Sequence, residues 1–175
     1  TNGIGAMVHG TSPERNDISG TYYFKWDETY LYMALEVTDD VLMWRKNSPG
    51  PYNGQDAVQL CFNPGNDASA VHEEDAWIFD IVAETADSYG QDIYRHTGPI
   101  SVDPNMISST IADNEGYTIE LGLEWSAIKP ALSGKVGDVH GLGLMIIDFD
   151  GSSVDSLITD FGDGENVIGQ PDQWN

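Results

Sequence analysis

The chain has 175 residues, with 29 acidic against 7 basic side chains and a net charge of −22. That surface repels nucleic-acid phosphates and anionic lipid headgroups, and leaves neutral ligands, cations and basic partners. The length suits one domain with its own core, so residues 1–175 are expected to form a single unit. No apolar run approaches the roughly 18 residues of a membrane helix, and no membrane insertion is expected. No basic, apolar leader opens the chain, so a removed signal or an excised module is expected.

Taken in order, the dominant sequence period is two, the period of strands. Over Thr21–Trp26, Tyr22, Phe24 and Trp26 alternate with Thr21, Tyr23 and Lys25, which places Trp26 in the core. Asp27-Glu28-Thr29 reads as a hairpin turn, and Tyr30–Val37 alternates Leu31, Met33, Leu35 and Val37. Further alternating runs are Asp56–Phe62, Ala76–Ala83, a weaker Met106–Ile111, and Tyr117–Leu123. Trp125–Leu132 predicts one or two helical turns, with Ser126 as N-cap and Pro130 limiting the length. Gly141–Asp148 is continuously apolar, as in a strand buried on both faces. The expected fold is all-β: an antiparallel β-sandwich, jelly-roll or immunoglobulin-like, with long acidic loops. The sequence reaches Trp174-Asn175 without a clear closing strand, so a final strand is expected to be missing or supplied from elsewhere.

Of the 29 acids, 19 are Asp and 10 are Glu, which points to loops rather than helices. Calcium takes six to eight oxygens from carboxylates, carbonyls and water. Asp148-Phe149-Asp150-Gly151 and Asp160-Phe161-Gly162-Asp163 offer spaced carboxylates beside glycine turns, and Asp39-Asp40 is denser. A structural Ca²⁺ held by some of Asp148, Asp150, Asp160, Asp163, Asp39 and Asp40 is therefore expected; solvated loops or turn caps are the alternative. The lone Cys61 sits in an apolar run and is expected to be a buried thiol. No nucleophile elbow, phosphate loop or His-Glu-x-x-His motif occurs. Asp80 with Glu120 could form a hydrolytic carboxylate dyad, but such pairs arise by chance in so acidic a chain.

An aromatic ring stacks on the C–H face of a pyranose, while amides and carboxylates bind the hydroxyls. Trp44 and Tyr52 lie in a Pro/Gly-rich loop, Trp174 in a polar tail, and Trp77 on an alternating strand. These are the candidate rings, the alternative for each being a packed anchor.

Four segments together resemble family-9 carbohydrate-binding modules, DOMON-like sugar-binding sandwiches. They are Phe24-Lys25-Trp26-Asp27-Glu28-Thr29-Tyr30-Leu31-Tyr32 with Glu36-Val37-Thr38-Asp39; Pro51 through Leu60; Gly116-Tyr117-Thr118-Ile119-Glu120 with Leu123-Glu124-Trp125; and Gly143 through Asp148. The resemblance implies a non-catalytic sandwich with structural calcium. It also implies a slot that grips a sugar-chain end between two tryptophans, beside a glycoside hydrolase. On this chain Tyr52 stands at the first ring's position, with one extra residue before Asp56. Trp174 is the candidate for the second ring, and Gln59 stands at a sugar-binding glutamate. Phe79 or Asp80 falls near a family arginine, so that contact is expected to be absent.

The leading expectation is extracellular polysaccharide or oligosaccharide binding by a secreted or cell-surface protein. One alternative is a filament or surface subunit completed by a partner's strand. Another is a b-type haem domain using Met33 or Met145 with His72, His96 or His140.

Overall fold

The computed structural model describes residues 2–4, 6–9, 17–43, 55–66, 76–82, 92–97, 106–112, 115–128, 134–151 and 156–159. Its elements are β1 (Asn2–Ile4), β2 (Ala6–His9), β3 (Ile18–Trp26), β4 (Tyr30–Asp39), β5 (Ala57–Asn63), β6 (Trp77–Val82), β7 (Asp92–Thr97), β8 (Met106–Ala112), β9 (Gly116–Glu124), α1 (Trp125–Ile128), β10 (Gly141–Asp148) and β11 (Ser156–Thr159). They form two antiparallel sheets, ordered β1-β3-β4-β9-β8 and β2-β11-β10-β5-β6-β7. The expected sandwich is present.

Alternation decides which side chains fill the space between the sheets. Leu31, Met33, Leu35 and Val37 of β4 and Ile119, Leu121 and Leu123 of β9 face Val58, Leu60 and Phe62 of β5, Phe79 and Ile81 of β6, and Leu144 and Ile146 of β10. In the six-stranded sheet, β5 and β10 are also buried on their other face. There Ala57, Met145, Ile147 and Phe149 form a second small cluster, with Met43 half-buried against it. This is why Gly141–Asp148 reads as an unbroken apolar run. β10 is an interior strand between β5 and β11, and β11 pairs in turn with β2. The strands beyond β10 thus come from this same chain.

The β3–β4 turn forms where expected. Asp27 Oδ1 accepts from Thr29 N at 2.7 Å and Tyr30 N at 2.8 Å, and Asp27 N donates to Tyr30 O at 3.0 Å. These bonds hold the exposed Asp27 carboxyl below its ordinary range, the bond from Tyr30 N acting most strongly. Gly116 opens β9 at φ +145°, and a Cβ there would fall 1.9 Å from Val37 O. Only glycine permits this approach.

Two local expectations change. Ser126 is not an N-cap: α1 begins one residue earlier, and Ser126 Oγ donates to Glu124 Oε1 at 2.6 Å. Trp26 occupies the inward register position opposite Leu31, yet is 47% exposed. β1 pairs with β3 only from Gly20 to Tyr22. Past Tyr22, β3 has β4 as its only described neighbour, so alternation chose the right face without supplying a cover.

Candidate functional site

The strand ends gather functional groups at one end of the sandwich. Asp39 closes β4, Asp56 precedes β5, and Asp148 closes β10, so carboxylates from both sheets converge. One oxygen from each lies within 4.8 Å of the others, and all three side chains are buried. Asp56 is held by backbone: Oδ2 accepts from Met43 N at 2.5 Å and Oδ1 from Phe149 N at 2.9 Å. Asp39 Oδ1 accepts from Val41 N at 2.9 Å, whereas its buried Oδ2 has no hydrogen-bond partner.

Burial raises both of these carboxyls, because removal from water penalises the ionised form. Asp56 is pushed up to about 8 by burial and then by Asp39. Asp39 is pushed up to about 6 by burial, with Asp150, Asp40 and Asp17 adding repulsion. Burial likewise raises the Tyr117 phenol, with Asp56, Asp39 and Asp148 contributing. An orphaned carboxylate oxygen within a buried triad of hard donors fits a calcium-type cation, which would supply the missing charge and ligation. Asp17, Asp40 and Asp150 make a second, more exposed group at the same end.

The sequence thus located Asp39, Asp40, Asp148 and Asp150, but each adjacent or next-adjacent pair divides between the two groups. Asp56 and Asp17 carry no local metal pattern. The only signal for Asp56 was its place in the Pro51–Leu60 segment. Asp160 and Asp163 lie outside the described residues, as do Trp44, Tyr52 and Trp174.

Gln59 lies on the outer face of the six-stranded sheet, in register with Met145 of β10 and Asp80 of β6, and is fully buried. Trp77 faces the opposite way and corrects the expectation of a sugar platform. It is 1% exposed and stacked on Phe79, at 5.6 Å between ring centroids. Packed between the sheets, it has no free face. The Asp80–Glu120 dyad does not form, because those residues sit on β6 and β9 of different sheets, with Glu120 exposed. Among the described haem candidates, each side chain is taken up by the fold. Met33 is in the central core, Met145 is on the outer face, and His140 Nδ1 is bound to Pro64 O at 2.6 Å. His72 and the side chain of His96 lie outside the described residues. Cys61 is buried, as expected.

At the opposite end of the sandwich, Trp26, Leu31, Phe62, Trp125, His140 and Leu142 border a cavity of about 270 Å³. Trp125 is 3% exposed, and its Nε1 donates to Asp27 O at 2.9 Å.

This architecture is that of a carbohydrate-binding β-sandwich. The chain superposes on a family-9 carbohydrate-binding module from Caldicellulosiruptor kristjanssonii solved with cellotriose, at TM-score 0.76 and 18% identity, covering 99% of this chain and 78% of that one. The glucose complex of such a module from the same organism gives 0.75 and 18%, covering 98% and 80%.

The chain belongs to the carbohydrate family 9 binding domain-like family, whose model matches residues 2–174. That is a family of binding modules rather than of catalysts. Among relatives, the chain is 28% identical over 135 residues to endo-1,4-beta-xylanase A of Thermoanaerobacterium saccharolyticum, covering 77% of this chain. It is 29% identical over 132 residues to exoglucanase XynX of Acetivibrio thermocellus, covering 75%. It spans only 10% and 11% of the lengths of those two enzymes. Among the described residues no helix is long and apolar enough to cross a membrane.

Proposed function

We propose that this chain binds a neutral β-linked oligosaccharide outside the cell, as a module working beside a glycoside hydrolase. The observation that carries the reading is the family match along nearly the whole chain. Cellotriose and glucose in the structural neighbours suggest the ligand class, and the xylanase and exoglucanase relatives suggest the companion enzyme. A net charge of −22 favours an uncharged sugar over a uronate polymer. Tyr52, Trp174 and Trp44 are assigned to stacking, and Gln59, fully buried as it stands, to hydroxyl recognition where the sugar takes the place of what covers it. Calorimetry against cello- and xylo-oligosaccharides, agar and uronate polymers tests this. Saturable binding of a neutral oligosaccharide, weakened in Gln59→Ala and Tyr52→Ala, is expected; silence across the panel would overturn it.

We further propose that Asp39, Asp56 and Asp148 hold a structural calcium. The unpartnered Asp39 Oδ2 supports this reading, and the backbone N–H groups of Met43 and Phe149 orient Asp56 for it. Bound calcium neutralises the crowded charge. Calorimetric titration of the chelator-treated protein should detect the binding, and Asp148→Asn should weaken it.

A further inference from the structure

We infer that the aromatic end carries a second sugar-binding site, for a single neutral pyranose unit, distinct from the Gln59 face. The cavity there is pre-formed. Phe62, Trp125 and His140 pack behind it with ring centroids 5.2–6.1 Å apart. Trp125 is pinned by Asp27 O and His140 by Pro64 O. That carbonyl can only accept, so His140 Nδ1 carries the proton. A Cβ at Gly134 would fall 2.3 Å from Asp27 O, 2.8 Å from Trp125 Nε1 and 2.9 Å from Trp26 Cε3. The wall therefore seats against both indoles through a residue without a side chain.

The chemistry selects the occupant. Trp26 offers a nearly half-exposed ring at the cavity. Lys135 and Asp138, both exposed and closing one turn through Asp138 N and Lys135 O at 3.2 Å, bring a donor and an acceptor of opposite charge. A ring face beside polar groups whose charges sum to zero suits a polyol better than an ion or a pure hydrocarbon. About 270 Å³ lies just below the usual span of ligand pockets, about 300–1,000 Å³, and so suits a single-ring ligand. The exposed tyrosines elsewhere are less available: the hydroxyls of Tyr23 and Tyr32 donate to Glu36 and Asp27.

The test is a titration of the ¹⁵N-labelled chain with glucose and cellobiose in calcium, following the indole N–H resonances. Trp26 is assigned from the signal lost in Trp26→Phe. A saturable millimolar shift of the Trp26 resonance is expected. It should weaken several-fold in Lys135→Ala and in Asp138→Ala, two exposed positions that leave the fold intact, and persist in Gln59→Ala. A stationary Trp26 resonance while the chain binds sugar would overturn the site, as would a shift abolished by Gln59→Ala. A response to free indole without one to sugar would also overturn it, making the cavity a hydrophobe pocket. A Trp26 shift in a chain whose oligosaccharide binding is unchanged by Gln59→Ala and by Tyr52→Ala would overturn the main-site reading alone.

Discussion

The two ends of the sandwich close the same gap by opposite means. Where the inner faces of two sheets run out, the last layer must be sealed. At one end, Trp26, Leu31 and Trp125 from the five-stranded sheet and its helix meet Phe62, His140 and Leu142 from the other. At the far end, Asp39 of β4 meets Asp56 and Asp148 beside β5 and β10. Aromatic packing is stable by itself. Three buried carboxylates repel one another and each costs several kcal/mol to desolvate as an ion, so that end becomes cohesive only with protons or a cation. On the proposed reading, one end is finished by folding and the other by binding a cation.

The largest test of this contrast is calcium removal. At a thousandfold excess over Kd, calcium adds about 4 kcal/mol, and chelation should lower Tm by roughly 8–16 °C in calorimetry. Asp39→Asn should reverse sign between conditions: less stable than the parent chain in calcium, more stable in chelator, because it removes a crowded charge. If Asp39→Asn destabilises equally in both, the carboxylate end is sealed by hydrogen bonding alone.

The second test is pH. Asp39 at about 6 and Asp56 at about 8 lie above the usual aspartate value near 3.8. The folded calcium-free chain therefore holds more protons than the unfolded one across this interval. The stability these two carboxyls contribute is full below about pH 4 and falls as pH rises through 6 and then 8. Calcium must displace those protons, so its affinity should weaken roughly a hundredfold from pH 8 to pH 6. Isothermal titrations at the two values check this, and a pH-independent affinity would place the metal elsewhere.

The aromatic end predicts smaller effects that ignore calcium. Gly134→Ala should cost about 2 kcal/mol through overpacking against Asp27 O and the two indoles. Trp125→Phe should cost about 1 kcal/mol for the lost bond to Asp27 O. In urea denaturation both losses should be the same in calcium and chelator. A calcium-dependent loss would mean that the two ends communicate.

The contrast also explains what could be read in advance. β4, β9 and β10 were legible because burial imposed a period of two, or an unbroken apolar run, over eight to ten residues. β1, β2 and β11 are three or four residues long, too short for a period to emerge, and their places depend on partners far along the chain. Alternation specifies a face but not its cover, so it misplaced Trp26, at a strand end with a described partner on one side only, and left Trp77 open when it is wholly packed. The buried aspartate group was half legible. Paired aspartates mark strand ends, but the convergence of positions 39, 56 and 148 belongs to topology.

The divided aspartates carry one more consequence. Asp39 and Asp40 belong to different groups, as do Asp148 and Asp150. A shift of β4 by one residue would offer Asp40 where Asp39 belongs and turn every side chain of that strand to the opposite face. A cation gripping only the correctly aligned trio would act as a proofreader of strand alignment, rewarding the native pairing and no neighbouring one.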